Sequence, residues 1–171
     1  ETLSYELEQA KQRQQDFYLD LDSRLRRFEA APTAGSDAGP QATVAGDQGA
    51  ETRSYDAALD LFKAAKYAEA AAAFASFVQQ YPTATLAPNA QYWLGNSWSA
   101  QHNCTKAIEA QSQVITRYPD SDKAPDALLA ISTCQQELGN RKGAAQSLET
   151  LLQKYPSSPA AAKARERQKK N

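Results

Sequence analysis

The sequence predicts an all-α fold. Three tandem helical hairpins stack into a solenoid closed by a capping helix, preceded by a coiled-coil helix and a flexible linker. Three observations predict it. Tyr-Pro recurs at one spacing, as Tyr81-Pro82, Tyr118-Pro119 and Tyr155-Pro156, each 37 residues from the next. A fixed period of this size marks a stacked repeat, whose copies bury their core against one another. Residues 1–29 place apolar side chains at alternating steps of four and three, and residues 30–52 hold almost no bulky apolar side chain. A stack of this kind leaves one long curved face free, so docking is the leading expectation and catalysis trails it.

Bulk composition narrows the classes. The chain has 171 residues, 42% of them apolar, enough for one domain and an appendage. A net charge of −1 gives no overall bias towards nucleic acid, and the basic last residues, 163–171, read as a solvated end. No run of about 18 apolar residues is present, so no membrane insertion is expected. The sequence opens at Glu1, contains no methionine and shows no signal peptide, and is read as a processed or trimmed stretch of a longer protein.

In the first zone, residues 1–29, Leu3, Leu7, Ala10, Gln14, Phe17, Leu21, Arg24 and Phe28 form a heptad seam. Gln14 and Arg24 interrupt it. A polar seam residue weakens a coiled coil but fixes register and strand number. The competing reading is an amphipathic helix folded onto its own chain. Residues 30–52, rich in Ala, Gly, Pro, Thr and Asp with Val44 the one sizeable apolar residue, read as a flexible linker.

The repeats occupy residues 53–171, as copies 54–90, 91–127 and 128–164. Ala58, Gly95 and Ser132 align, all small, where two helices approach closely, and so do Ala70, Ala107 and Ala144. Phe77, Val114 and Leu151, followed by Val78, Ile115 and Leu152, read as the buried side of a second helix. Lys66, Asn103 and Asn140 mark the turn between helices. Each Pro lacks a donor and pushes the Tyr before it out of helical geometry, ending the second helix there. Pro88 and Pro125 suit the first turn of the following helix. Ser158-Pro159 offers an N-cap and first turn for a last helix over about 160–170, a charged solvating cap.

This pattern resembles the tetratricopeptide repeat: Leu94-Gly95, Trp98, Ala107 and Pro119 match its motif in the middle copy. Gln111 stands where that motif has a second aromatic, and the leading Trp is replaced by Ser54, Gln91 and Leu128. The period is three residues longer than the common one. A narrower likeness rests on the stalk, the linker and the segments AAAFASFVQQYPTATLAPNAQYWLGNSW and AIEAQSQVITRYPDSDKAPDALL. With these the chain resembles the CpoB/YbgF family of Tol-Pal cell-division coordinators. That resemblance implies a periplasmic, non-catalytic adaptor. It implies a trimeric stalk, repeats that bind TolA, and coupling of outer-membrane constriction to peptidoglycan synthesis, whose synthase machinery is a further implied partner. Long Tyr-Pro repeats also occur in lipoproteins of outer-membrane barrel assembly, which is the alternative function.

In tetratricopeptide arrays the first helices line the concave face. By helical spacing, Tyr55, Leu59 and Phe62 share a stripe with Asn89, Tyr92, Asn96 and Ser99, continued by Leu129, Thr133 and Gln136. These are the predicted partner-binding residues, with aromatics beside amides suited to an extended peptide. The alternative is that Tyr55 and Phe62 are covered. The Lys/Asn clamp for a free C-terminus is not found at the matching places. Trp98 reads as core, Trp93 as packing on Phe74 or Phe77, and the Tyr-Pro tyrosines as structural wedges. Cys104 and Cys134 fall on neighbouring helices; in the oxidising compartment the resemblance implies, they are a disulfide candidate, and two buried thiols are the alternative. One His and two Cys with no Cys-x-x-Cys give no metal site. No nucleophile–base set or phosphate loop is present, so no catalytic residue and no cofactor is expected. Asp120-Ser121-Asp122 lacks the Gly and closing Glu of a calcium loop and reads as a capping turn.

Overall fold

The computed structural model describes residues 44–170, with side chains over 49–169. The predicted seam, Leu3, Leu7, Ala10, Gln14, Phe17, Leu21 and Phe28, lies outside the described residues, as does most of the predicted linker. Among the described residues there are seven helices and no strand: α1 (Val44–Lys63), α2 (Tyr67–Gln80), α3 (Ala87–Ala100), α4 (Cys104–Arg117), α5 (Lys123–Glu137), α6 (Arg141–Lys154) and α7 (Pro159–Lys170). Each helix packs on the next in sequence, and the first helices α1, α3, α5 and α7 also touch in series. This is the predicted stack of three hairpins and a cap. One boundary differs. Residues 44–52, placed in the linker, are the first turns of α1. Gly49, Ala50 and Glu51 are half-buried there.

The turn inside each hairpin is one motif made three times. Ala65, His102 and Gly139, 37 residues apart, have φ of 59°, 58° and 75°. The next residue in each copy donates its N–H five residues back, from Lys66 to Leu61, Asn103 to Trp98 and Asn140 to Gln135. This is the Schellman ending, whose left-handed residue favours glycine. Only the third copy has one. The second helix then starts on Asn103, whose Oδ1 accepts from the Lys106 N–H at 3.2 Å, and on Asn140, whose Oδ1 accepts from Gly143 at 2.9 Å. Lys66 makes no side-chain cap in the first copy.

The Tyr-Pro pairs end α2, α4 and α6 as expected: Tyr81, Tyr118 and Tyr155 donate their N–H to Phe77, Val114 and Leu151. They also tie copies together. The Tyr118 hydroxyl donates to the Pro82 carbonyl at 2.9 Å and the Tyr155 hydroxyl to the Pro119 carbonyl at 2.8 Å. The Pro156 carbonyl accepts instead from Arg165 on α7, at 2.8 Å. Ser158 caps α7, its Oγ accepting from the Ala161 N–H at 3.1 Å.

The aligned columns are mostly interior. Ala58, Gly95 and Ser132, then Ala70, Ala107 and Ala144, then Phe77, Val114 and Leu151 are all buried, while Ile115 and Leu152 are half-buried. The strained turns carry a prediction. Ala65→Gly and His102→Gly each remove a β-carbon from a left-handed residue and should stabilise the protein by about 1 kcal/mol in urea denaturation. Gly139→Ala should cost a comparable amount.

Candidate partner-binding face

The predicted stripe divides once the neighbouring copies are in place. Tyr55, Tyr92 and Leu129 form one column and are buried, not presented to a partner. Tyr55 meets Phe74 and Phe77 edge-on, with ring centroids 5.9 and 5.8 Å away. Tyr92 clusters with Val114 of its own hairpin and Ala127 of the next, and Leu129 with Leu151 and with Ala160, Ala161 and Ala164 of α7. Tyr92 and Leu129 thus lie between their own second helix and the following first helix, and Tyr55 lies against its own second helix. Leu59 and Asn89 are buried too. The stripe therefore narrows to Phe62, Asn96, Ser99 and Thr133, all half-buried, and the exposed Gln136.

The polar members of this remnant are held by the fold. In the middle copy the core of the hairpin is partly amide. Gln91 on α3 donates to the Ala110 carbonyl of α4 at 2.9 Å, and Gln111 on α4 donates back to the Tyr92 carbonyl at 3.2 Å. Gln111 Nε2 also reaches Asn96 Oδ1 at 3.1 Å. This leaves Asn96 Nδ2 and Gln111 Oε1 buried without a partner, an expensive arrangement unless something else satisfies them. The close approach depends on Gly95, where an added β-carbon would lie 2.5 Å from Gln111 Nε2. In the third copy Arg167 of α7 donates to Thr133 Oγ1 at 2.8 Å, so the cap reaches across to the same face.

Of the two tryptophans, Trp93 packs on Phe74 as expected, whereas Trp98, expected in the core, is only partly enclosed. Trp93 is buried, stacked with Phe74 at 6.5 Å and tilted against Phe62 at 4.8 Å. Trp98 is only half-buried, with the Lys106 ammonium 4.2 Å from its ring centroid. The interior on that side is narrow. Cys104, Ala107 and Cys134 fill it and Trp98 packs over them. Both cysteines are free, so the disulfide expected from sequence is not formed in this structure, though the two do share one buried cluster. Beside the cap, burial holds the Asp126 carboxyl above its ordinary range, an effect Lys123 and Lys163 partly oppose. Among the described residues no group of three or more His, Cys, Asp or Glu is placed to hold a metal, and no helix is long and apolar enough to cross a membrane.

Stacked hairpins with a Tyr-Pro closure and one polar inner stripe define a tetratricopeptide-type helical-repeat protein. Solved structures agree on the fold. The Yersinia enterocolitica type III secretion chaperone SycD, in complex with a peptide of the translocator YopD, superposes with a TM-score of 0.58 at 16% identity. It covers 68% of this chain and 84% of that one. PcrH in complex with the chaperone-binding region of PopB also gives 0.58 at 16%, over 67% and 91%. Residues 46–170 match the YfiO family, described as outer membrane lipoprotein, and residues 1–35 match the family described as TolA binding protein trimerisation. Curated relatives named Cell division coordinator CpoB are 33% identical in Pseudomonas putida, over 56% of this chain and 43% of that protein. In Escherichia coli K12 the figure is 34%, over 53% and 40%. The chain thus spans less than half the length of these relatives. It belongs to the YfiO family through its repeats, and it is similar to the curated CpoB proteins and, over residues 1–35, to the TolA binding protein trimerisation family.

Two predictions follow from the site's packing and charge. Gly95→Ala should destabilise by about 2 kcal/mol in chemical denaturation, because Gln111 cannot retreat without losing its bonds. Asp126 has a folded value raised above the unfolded one, so its neutral form favours the fold. That contribution is present below the ordinary carboxylate range and is lost as pH rises through the folded value. Asp126→Asn should therefore raise the melting temperature at neutral pH, and the gain should shrink to nothing as the solution is acidified.

Proposed function

We propose that this chain is a non-catalytic periplasmic adaptor. It binds TolA through its repeats, trimerises through its N-terminal segment, and helps coordinate outer-membrane constriction with peptidoglycan synthesis during division. One observation carries the reading: a match to a TolA-binding trimerisation family and a helical-repeat domain occur in one chain whose curated relatives are named division coordinators. The peptide-scale open stripe of Phe62, Asn96, Ser99, Thr133 and Gln136 supports docking rather than chemistry.

A second reading is favoured by the family matched over residues 46–170, described as outer membrane lipoprotein. It makes the repeats a scaffold in outer-membrane barrel assembly. Calorimetric titration of the full chain against TolA, and separately against barrel-assembly components, separates the two. The adaptor reading expects binding to TolA that Gln136→Arg weakens at least about tenfold, with the helical circular dichroism spectrum unchanged. A folded chain that ignores TolA and binds the assembly components would replace the first reading with the second.

A further inference from the structure

We propose that Cys104 and Cys134 are a redox modification site: an intramolecular disulfide between them locks the junction of the second and third hairpins. Cys104 is the first residue of α4 and Cys134 lies in the last turns of α5, two helices packed directly on each other. Both thiols are buried in one small cluster with Ala107, roofed by Trp98 and Ile108. The Cys104 thiol donates to Glu137 Oε2 at 3.0 Å, and the Cys134 sulfur lies 3.8 Å from Ser99 Oγ. Two thiols that share one small buried cluster, on separate hairpins, are placed for cross-linking.

The chemistry is exchange with a protein or small-molecule disulfide. One cysteine thiolate attacks it and releases one thiol. The second cysteine then attacks the mixed disulfide and releases the other. Two cysteine thiols become one S–S bond, and the incoming disulfide is reduced to two thiols. The first attack needs a thiolate. Burial, followed by the contacts with Cys134 and Glu137, pushes the Cys104 thiol well up, so the closed fold resists the reaction. The bond therefore forms before the second and third hairpins close. Once it forms, Cys104 has no proton left to donate, and Glu137, exposed at the end of α5 beside Gln136, loses that partner. Oxidation thus fixes the junction and frees a carboxylate at the edge of the open stripe.

The test uses the full chain, unfolded and refolded either with oxidised glutathione or with a reductant. Intact mass should fall by two hydrogens in the oxidised sample, with no alkylation after denaturation. Its melting temperature should exceed that of the reduced sample by at least about 5 °C. Neither Cys104→Ser nor Cys134→Ser should show that difference. Glu137→Ala should lower the midpoint of the reduced form and leave the cross-linked form unchanged. Two alkylatable thiols after oxidative refolding, retained glutathione in place of hydrogen loss, or a bond between chains would each overturn the proposal. So would an equal effect of Glu137→Ala on both forms.

Discussion

Each hairpin borrows part of its core from the next one, and the rest of the structure depends on this. Tyr92 and Leu129 each leave a first helix, pass the second helix of the same copy, and end against the following first helix. An isolated hairpin would expose this side chain and the small residues it lies on. At roughly 25 cal/mol per Å² of apolar surface, leaving one aromatic out of the stack is worth more than any single hydrogen bond here. The tyrosine-to-proline-carbonyl bonds then set the spacing that burial leaves loose. Each spans 36 residues and joins equivalent edges of successive copies. The end of the array obeys the same demands with different residues. Three alanines of α7 meet Leu129, and Arg165 takes the Pro156 carbonyl.

The middle copy meets the demand differently, and the open stripe follows from that. Where tetratricopeptide motifs put a leading Trp and a second aromatic, this copy has Gln91 and Gln111. The two amides exchange hydrogen bonds with the opposite helix's carbonyls. Such a pair gives up apolar burial but fixes the helix register, because a shifted helix leaves both amides unpaired. It also binds Asn96 from beneath. The amide stripe is therefore held by core contacts, and an extended chain lying on it would meet side chains already ordered.

Much of the fold was legible because its signals are local. Tyr-Pro ends a helix for reasons within two residues, Asn103 and Asn140 cap within three, and small residues recur wherever helices touch. The errors all concern what one copy does to another. A helical wheel groups Tyr55 with Phe62 correctly but contains no neighbouring hairpin, so it read a stacking column as an open face. Trp98, read as core, is left half-buried. Trp93, read as packing on Phe74 or Phe77, does lie against Phe74 of the preceding hairpin. The start of α1 at Val44 was hidden because Gly- and Asp-bearing sequence has low intrinsic helicity. The left-handed column of Ala65, His102 and Gly139 was visible in principle, since Gly139 at the period marks it, but Ala and His disguise the other two copies.

The accessible stripe is unevenly spread along the array, and this shapes what it is suited to hold. In the first copy Leu59 is buried, leaving Phe62 as the remaining member, half-covered by Tyr67 and Trp93. In the second and third copies the corresponding positions are Asn96, Thr133, Ser99 and Gln136, polar and at least partly open. Arg167 of the cap reaches the same face through Thr133. An apolar anchor at one end and amide, hydroxyl and guanidinium groups towards the other favour a ligand laid in one direction. Its apolar side chain would meet the first hairpin and its backbone polar groups the last two. The junction between those last two hairpins is where Cys104 and Cys134 meet, so the most polar half of the face is also the half whose geometry one covalent bond would fix.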